Sequence, residues 1–408
     1  MQNDIKHDLN RILHEYIKNS DYLDQSNLKS YIDIFVNAFK SISEWSISKK
    51  KLMKKLSSQQ TKENKEMINK VITYMENEKL ITKIPKKITD SKNEIKILHL
   101  SDIQIGRDID RLLFIKLNEV LKNLKDIKID YVFITGDLTS EGEKDEFAKF
   151  KLFLYQLNGF FPHLKKEDII IIPGNHDLNR RLSKIQINLK YKNFNNFIKE
   201  FYGYERKNFY VVQKHFNNLT FPIIALDSNT EITHNPLTYH RAFITGEQIG
   251  EIIKFYNQKE ISTELSEDQL KIYCVHHPPY VLENFDIGIL RNLCKGGGLH
   301  IIFHGHTHSF ETPTILYTRD NKIIMAIGCG SPTTKAKKRL PGQYSKAQFN
   351  LVTLKDDSPN ENSKLYNIRI KSYILDSYFE LKEKNINEYL CTCNIGDKIE
   401  ITFKQLIN

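Results

Sequence analysis

Between residues 95 and 328, short apolar runs alternate with longer amphipathic stretches, and this rhythm constrains the fold more than any other feature of the sequence. The runs are IKILHL (95–100), YVFITG (131–136), IIIIP (169–173), PIIALD (222–227), KIYCVH (271–276), HIIFHG (300–305) and KIIMAIG (322–328). Runs of this length rich in Ile and Val read as strands. The stretches between them read as helices, for example DIDRLLFIKLNEVLKNLK (108–125), with Asp108 as its N-cap, and DEFAKFKLFLYQL (145–157). Such alternation is the sequence form of an α/β sheet.

The rest of the 408-residue chain is patterned differently. Over residues 1–84 apolar side chains recur at three- and four-residue spacing, as in Ile12, Leu13, Tyr16 and Ile17, and no glycine precedes Gly106. This predicts an N-terminal all-helical domain. Its order of helix, turn, helix and short strand near Leu80–Ile84 resembles a winged-helix module, although a helical cap or oligomerisation arm has the same pattern. The polar PKKITDSKN (85–93) is a linker, residues 94–355 form the α/β domain, and residues 356–408 alternate again, which predicts a C-terminal β extension packed on the sheet.

Composition narrows the setting. The start of the sequence lacks the apolar core of a secretory leader, and no apolar run is long enough to span a bilayer. Five scattered cysteines do not make a disulfide framework, so the expectation is a soluble cytoplasmic protein without a membrane partner. The net charge is +10, and residues 1–96 hold 19 Lys and Arg against 13 Asp and Glu, a surplus of 6 that suits an anionic partner. The oligomeric state is not written in the sequence.

Where the strands end, groups able to bind a metal begin. Asp102 and Gln104 follow the first run, Asp137 the second, and Asn175, His176 and Asp177 the third; His276 and His277 end the fifth, and His304, His306 and His308 cluster at the sixth. In open α/β sheets the carboxyl ends of strands line the ligand crevice, so groups spread over some 200 positions are expected to converge. Each fragment alone has a plain structural use: SDIQ and GD suit turns, HHPP a loop with a surface histidine. GNHD and GHTH are sharper, because glycine beside several potential ligands is costly in a turn that serves structure alone.

The ordered set SDIQ, GD, GNHD, HH and GHTH resembles the calcineurin-like metallophosphoesterase superfamily over roughly residues 94–355. The resemblance implies a four-layer αββα sandwich and two divalent transition-metal ions. Asp102, Gln104, Asp137 and His308 would hold the first, and Asp137, Asn175, His276 and His306 the second, with Asp137 as the bridge. It also implies that His176 is catalytic, stabilising the transition state or protonating the leaving oxygen, with Asp177 placed to orient its ring. His277 and His304 fall outside the pattern, and His99 reads as a partnered core histidine.

Physical chemistry supports these residue types independently. Two carboxylates leave two divalent cations with net positive charge for an anionic phosphate, and neutral His and Asn ligands add none. Mixed nitrogen and oxygen ligation suits Mn, Fe, Co, Ni or Zn, and such a pair attacks phosphoesters with a metal-bound hydroxide. Gln104 stands where the resembling pattern has histidine. Its harder amide oxygen should weaken the first position or tilt it toward Mn²⁺.

HHPP before GHTH is similar to the bacterial cyclic-nucleotide phosphodiesterase branch, which points to a nucleotide or nucleic-acid phosphodiester. Lys335, Lys337, Lys338 and Arg339 suit a polynucleotide backbone, and the aromatic stretch 179–214 suits a lid whose rings stack on a base or pack as core. The rival functions are a nuclease recruited through the N-terminal domain and a non-catalytic binding scaffold.

Overall fold

The computed structural model describes residues 94–106, 111–182, 186–216, 219–232, 242–260, 270–282, 299–308, 311–317, 323–333, 347–357, 364–375, 386–395 and 399–406. The expected N-terminal domain, the linker, Asp108 and the basic run Lys335–Arg339 lie outside these residues. The chain divides into two compact units. One comprises residues 1–89, 124–128 and 148–166, of which the described part is mainly helical, with Phe150 and Phe153 in ring contact at 5.9 Å. The other, residues 90–123, 129–147 and 167–408, carries both sheets.

In the first sheet β1 (Glu94–Leu100), β2 (Tyr131–Thr135) and β3 (Ile169–Ile172) run parallel. β10 (Ala347–Asp356), β11 (Lys364–Leu375), β12 (Ile386–Ile395) and β13 (Ile399–Leu406) extend it antiparallel from β1, giving the order β13-β12-β11-β10-β1-β2-β3. The second sheet holds β4 (Tyr210–Phe216), β5 (Leu219–Ala225), β6 (Lys271–Cys274), β7 (His300–His304), β8 (Thr314–Tyr317) and β9 (Ile323–Gly328) in the order β4-β5-β6-β7-β9-β8. Its central strands β5, β6, β7 and β9 are parallel. Strands β4 and β8 escape the sequence reading, because YVVQKHF mixes polar and apolar residues inside a basic stretch and TILY is too short to stand out.

The two sheets face one another across a shared core. Ile97, Phe133, Ile170, Val352, Ile368 and Tyr389 from the first pack in one cluster with Ile223, Ile272, Ile301 and Met325 from the second. Each such side chain contributes about 2 kcal/mol by leaving water. Parallel strands buried on both faces need continuous apolar sequence, and IIII in β3 and YVFIT in β2 supply it. The C-terminal strands alternate instead: Tyr366, Ile368 and Ile370 point into the core while Arg369 between them is exposed. Cys391, two residues before Cys393 on β12, is buried in the same core, as strand packing requires.

Helices cover the outer faces. Helix α1 (Arg111–Asn123) buries Leu113, Leu117, Val120 and Leu121 on one stripe and contacts β11. A second helix, α2 (Lys144–Phe160), follows β2, and two short helices, α3 (Ile187–Lys190) and α4 (Lys192–Tyr202), follow β3. Helix α5 (Gly246–Glu260) sets Ile252 against Ile224, Tyr273, Ile302 and Ile324 on the outer face of the second sheet. The layers thus run helix, sheet, sheet, helix, as the resemblance implied. Among the described residues no helix is long and apolar enough to cross a membrane.

Between Tyr191 and Tyr202 the aromatic stretch forms core, not an open stacking surface. Tyr191, Phe194, Phe197, Phe201 and Tyr202 are buried, and Phe197 stacks on Phe147 at 5.3 Å. An amphipathic helix places its large rings inward because water excludes them, and that takes precedence over base recognition here.

Candidate metal centre

Parallel neighbours end together, and their loops interlock. The Asp102 N–H donates to the Gly136 carbonyl (3.0 Å), that of Gln104 to Asp137 O (2.9 Å), and that of Gly305 to His276 O (2.9 Å). Side chains tie the loops further: the Asp102 carboxylate accepts the His306 N–H (2.9 Å), and Asp137 Oδ1 accepts the His176 N–H (2.8 Å). Ser331 and Thr333, which follow β9, donate their hydroxyls to the carbonyls of Asp102 and Ile103.

Such close approach explains two glycines. A Cβ on Gly174 would lie 2.1 Å from the Asp137 nitrogen, and one on Gly305 would lie 1.8 Å from Ser101 Oγ. Any side chain at either position would force the ligand loops apart. The strained residues make the complementary point. Among the described residues, the non-glycine positions with left-handed φ are Asp102 (53°), Gln104 (47°), Asp137 (52°), His306 (75°) and His308 (54°). Each costs roughly 1–2 kcal/mol, and strain of this kind persists where function demands the side chain. All five are residues the sequence nominated.

The nominated side chains gather in two groups. On one side His308 Nε2 lies 3.1 Å from Asp102 Oδ1 and 3.8 Å from Asp137 Oδ2, while Gln104 Nε2 lies 3.0 Å from His308 Nε2 and 3.3 Å from Asp137 Oδ2. Turning the Gln104 amide over would place its oxygen at that spot, as a donor atom toward a cation. On the other side Asn175 Oδ1 lies 3.0 Å from His276 Nε2 and 3.2 Å from His306 Nδ1, and Asp137 Oδ1 is 3.5 Å from His276 Nε2. Asp137 reaches both groups, one oxygen to each.

Divalent cations fit this donor set. His276 places Nδ1 2.7 Å from the Thr135 carbonyl, which commits the ring proton there. Its Nε2 then faces Oδ1 of both Asn175 and Asp137, a position that calls for a cation or, in its absence, a proton. Asp102 Oδ1 is buried and faces His308 Nε2 at 3.1 Å, two donor atoms turned toward the same spot. Within Asp102, Asp137 and His308, and within His276, His277 and His306, the candidate donor atoms lie within 4.8 Å of one another.

The charges follow the same geometry. Burial would raise the Asp102 and Asp137 carboxyls, but the histidines beside each, His308 for Asp102 and His276 first for Asp137, hold both below the usual range. Burial opposes a proton on His308, yet the Asp102 charge outweighs it and the group is pushed up to about 10. Burial, aided by His276, pushes His306 down to about 3, so that ring stays neutral and ready to ligate.

A pH prediction follows. His308 must shed its proton to coordinate, so Mn²⁺ affinity should rise with pH up to about 10, by as much as tenfold per unit. Without metal the sign reverses: a raised folded-state value stabilises the fold below the unfolded value near 6.5 and loses that stabilisation as pH climbs toward 10. Calorimetric titration in buffers of different ionisation enthalpy would count the released protons, and a pH-independent affinity would remove His308 from the ligands.

His176 and Asp177 part company. The half-buried His176 ring has Nδ1 2.8 Å from the Ser140 carbonyl, which orients it. Asp177 was expected to do this and does not. Its Oδ1 accepts from the Thr139 N–H (3.0 Å) and hydroxyl (2.9 Å), and its Oδ2 from the Gly174 N–H (2.8 Å). Burial and then the Asp137 charge push Asp177 up to about 7, and it clamps the GNHD loop to the loop after β2.

Of the residues outside the ligand pattern, His99 is a core histidine with Nε2 3.0 Å from Thr135 Oγ1, and His304 is buried 3.6 Å from Glu311. His277, set aside on sequence, is buried beside His276 and His306. Sequence reasoning also passed over Ser140, Ser331 and Thr333. Ser140 holds His176 through a backbone carbonyl, which no side-chain type advertises.

Residues 95–310, just over half the chain, match the sequence model of the calcineurin-like phosphoesterases. No curated protein sequence matches significantly. Similar solved structures include GAP50, the anchor in the inner membrane complex of Plasmodium, at 11% identity and TM-score 0.40, covering 76% of this chain and 90% of that one. They also include phosphopantetheinyl hydrolase from Mycobacterium tuberculosis (15% identity, TM-score 0.31, covering 59% and 91%) and 5'-nucleotidase from Candida albicans (11%, 0.34, 65% and 48%).

Proposed function

The chain belongs to the calcineurin-like phosphoesterase family and is a metal-dependent hydrolase, and from that premise we propose that it cleaves a phosphodiester, in a nucleotide or a nucleic acid, at a centre of two divalent cations. The observation that carries the proposal is the gathering of Asp102, Gln104, Asp137, Asn175, His276, His306 and His308 at interlocked strand ends, five of them in strained backbone. Asp102, Gln104, Asp137 and His308 would hold one cation, and Asp137, Asn175, His276 and His306 the other. Bound divalent cations supply Lewis acidity, drawing charge from phosphoryl oxygens and acidifying water. Mn²⁺ suits the oxygen-rich side best, with Fe, Zn, Ni or Co as alternatives.

The chain's own residues complete the chemistry. With Nδ1 tied to the Ser140 carbonyl, His176 has Nε2 left to exchange a proton, and a diester's alkoxide leaving group needs one. The basic sequence Lys335–Arg339 begins beyond Thr333, whose hydroxyl is bound to the Asp102 loop. A basic run at that point of the sequence suits a substrate with further phosphates.

The test is a substrate panel on the purified chain with Mn²⁺, Zn²⁺, Ni²⁺ and Mg²⁺. Hydrolysis of bis(p-nitrophenyl) phosphate and cyclic nucleotides, above that of p-nitrophenyl phosphate and greatest with Mn²⁺, is expected. Cleavage of DNA or RNA that falls as salt is added would assign a polynucleotide. Preference for the monoester, or no turnover with any metal, would defeat the proposal.

A further inference from the structure

His277 is fully buried, and its neighbours are other imidazoles: ring centroids lie 4.3 Å from His306 and 4.9 Å from His276. A core histidine has different surroundings. His99 has Thr135 Oγ1 on one nitrogen, Asn350 on the other, and the Phe303 ring perpendicular to it at 5.0 Å. His277 instead has Nδ1 2.7 Å from Ser228 Oγ, at the end of β5. A ligating imidazole characteristically gives its second nitrogen to an oxygen that fixes the ring and its tautomer. His276 does so with Thr135 O, and Ser228 Oγ, which also accepts the His277 backbone N–H at 3.4 Å, is placed to do the same for the His277 ring.

We propose that His277 is an additional metal ligand, a third imidazole that completes the position beside His276 and His306 and makes it the tighter of the two. The inference rests on the metal-dependent reading of the same centre and adds to it a donor outside the family pattern. Donor atoms of the three imidazoles lie within 4.8 Å of one another, the spread that one ion can gather with modest movement of the rings. The two positions then differ in chemistry. Three imidazoles favour Zn, Fe, Ni or Co, whereas two carboxylates, the Gln104 amide and one imidazole favour Mn or Mg. The chain would load an unequal pair, filling the nitrogen-rich position first and leaving the Gln104 position labile.

Cobalt(II) added to the chelator-stripped full chain is the probe. At one equivalent, proton NMR of the wild type should show three hyperfine-shifted exchangeable imidazole N–H signals, from His276, His277 and His306. A second equivalent should add one from His308. By equilibrium dialysis, His277→Ala and His277→Gln should weaken the tighter site by roughly 10–100-fold while changing the weaker one less than threefold. Two signals at one equivalent, or variants that keep the tight site, would overturn the inference and leave the metal reading standing. A wild type that binds no cobalt would bring down the metal reading itself, and this inference with it. Should the variants fail to fold, the wild-type signal count decides.

Discussion

Asp137→Asn is expected to lower Mn²⁺-dependent turnover of bis(p-nitrophenyl) phosphate by on the order of 10³-fold or more, the equivalent of several kcal/mol of lost charge stabilisation. Asp137 is fully buried, with Oδ1 toward His276 and Oδ2 toward His308 and Gln104. Asp137 thus sets one oxygen against the side chains of each group. The amide keeps the volume, so the fold should survive, but it removes the negative charge. It also turns an NH₂ toward either the His176 N–H or the Gln104 amide, both of which now donate to Asp137. Metal content should therefore fall together with rate. A folded variant that retains two metals and turns over within tenfold of the wild type would mean that Asp137 does not join the two groups.

How much of this was legible in the sequence depended on whether a contact is made by side-chain type or by backbone. The parallel strands announced themselves, because burial on both faces forces runs such as IIII, and each run ended where a ligand began. The glycines of GNHD and GHTH were legible as costly, and the structure gives the cost: their Cα atoms pack against Asp137 and Ser101 with no room for a Cβ. What stayed hidden was supported by main chain or by distant chain. The oxygen orienting His176 is a carbonyl of Ser140, so the nearest carboxylate in sequence, Asp177, was the natural but incorrect choice. His277 looked surplus because its partner, Ser228, sits 49 positions away at the end of a strand to which no role had been assigned. The rings of α4 carried a stacking signal on sequence, but periodicity cannot say whether an apolar face meets a substrate or a core.

His176→Ala is expected to separate leaving groups. The substitution leaves the backbone N–H to Asp137 intact and removes only the imidazole, which lies outside both ligand groups, so metal content should match the wild type. A positioned general acid is worth roughly 10²–10⁴-fold when the departing oxygen is basic, and little when that oxygen is a stable anion without a proton. Turnover of a diester with an alkyl or nucleoside leaving group should thus drop by about that factor, while the p-nitrophenyl diester loses about tenfold or less. The slope of log rate against leaving-group acidity should steepen in the variant. An equal loss across the series would assign His176 to holding the phosphate instead of delivering a proton, because only proton delivery makes the cost depend on how badly the leaving oxygen needs one.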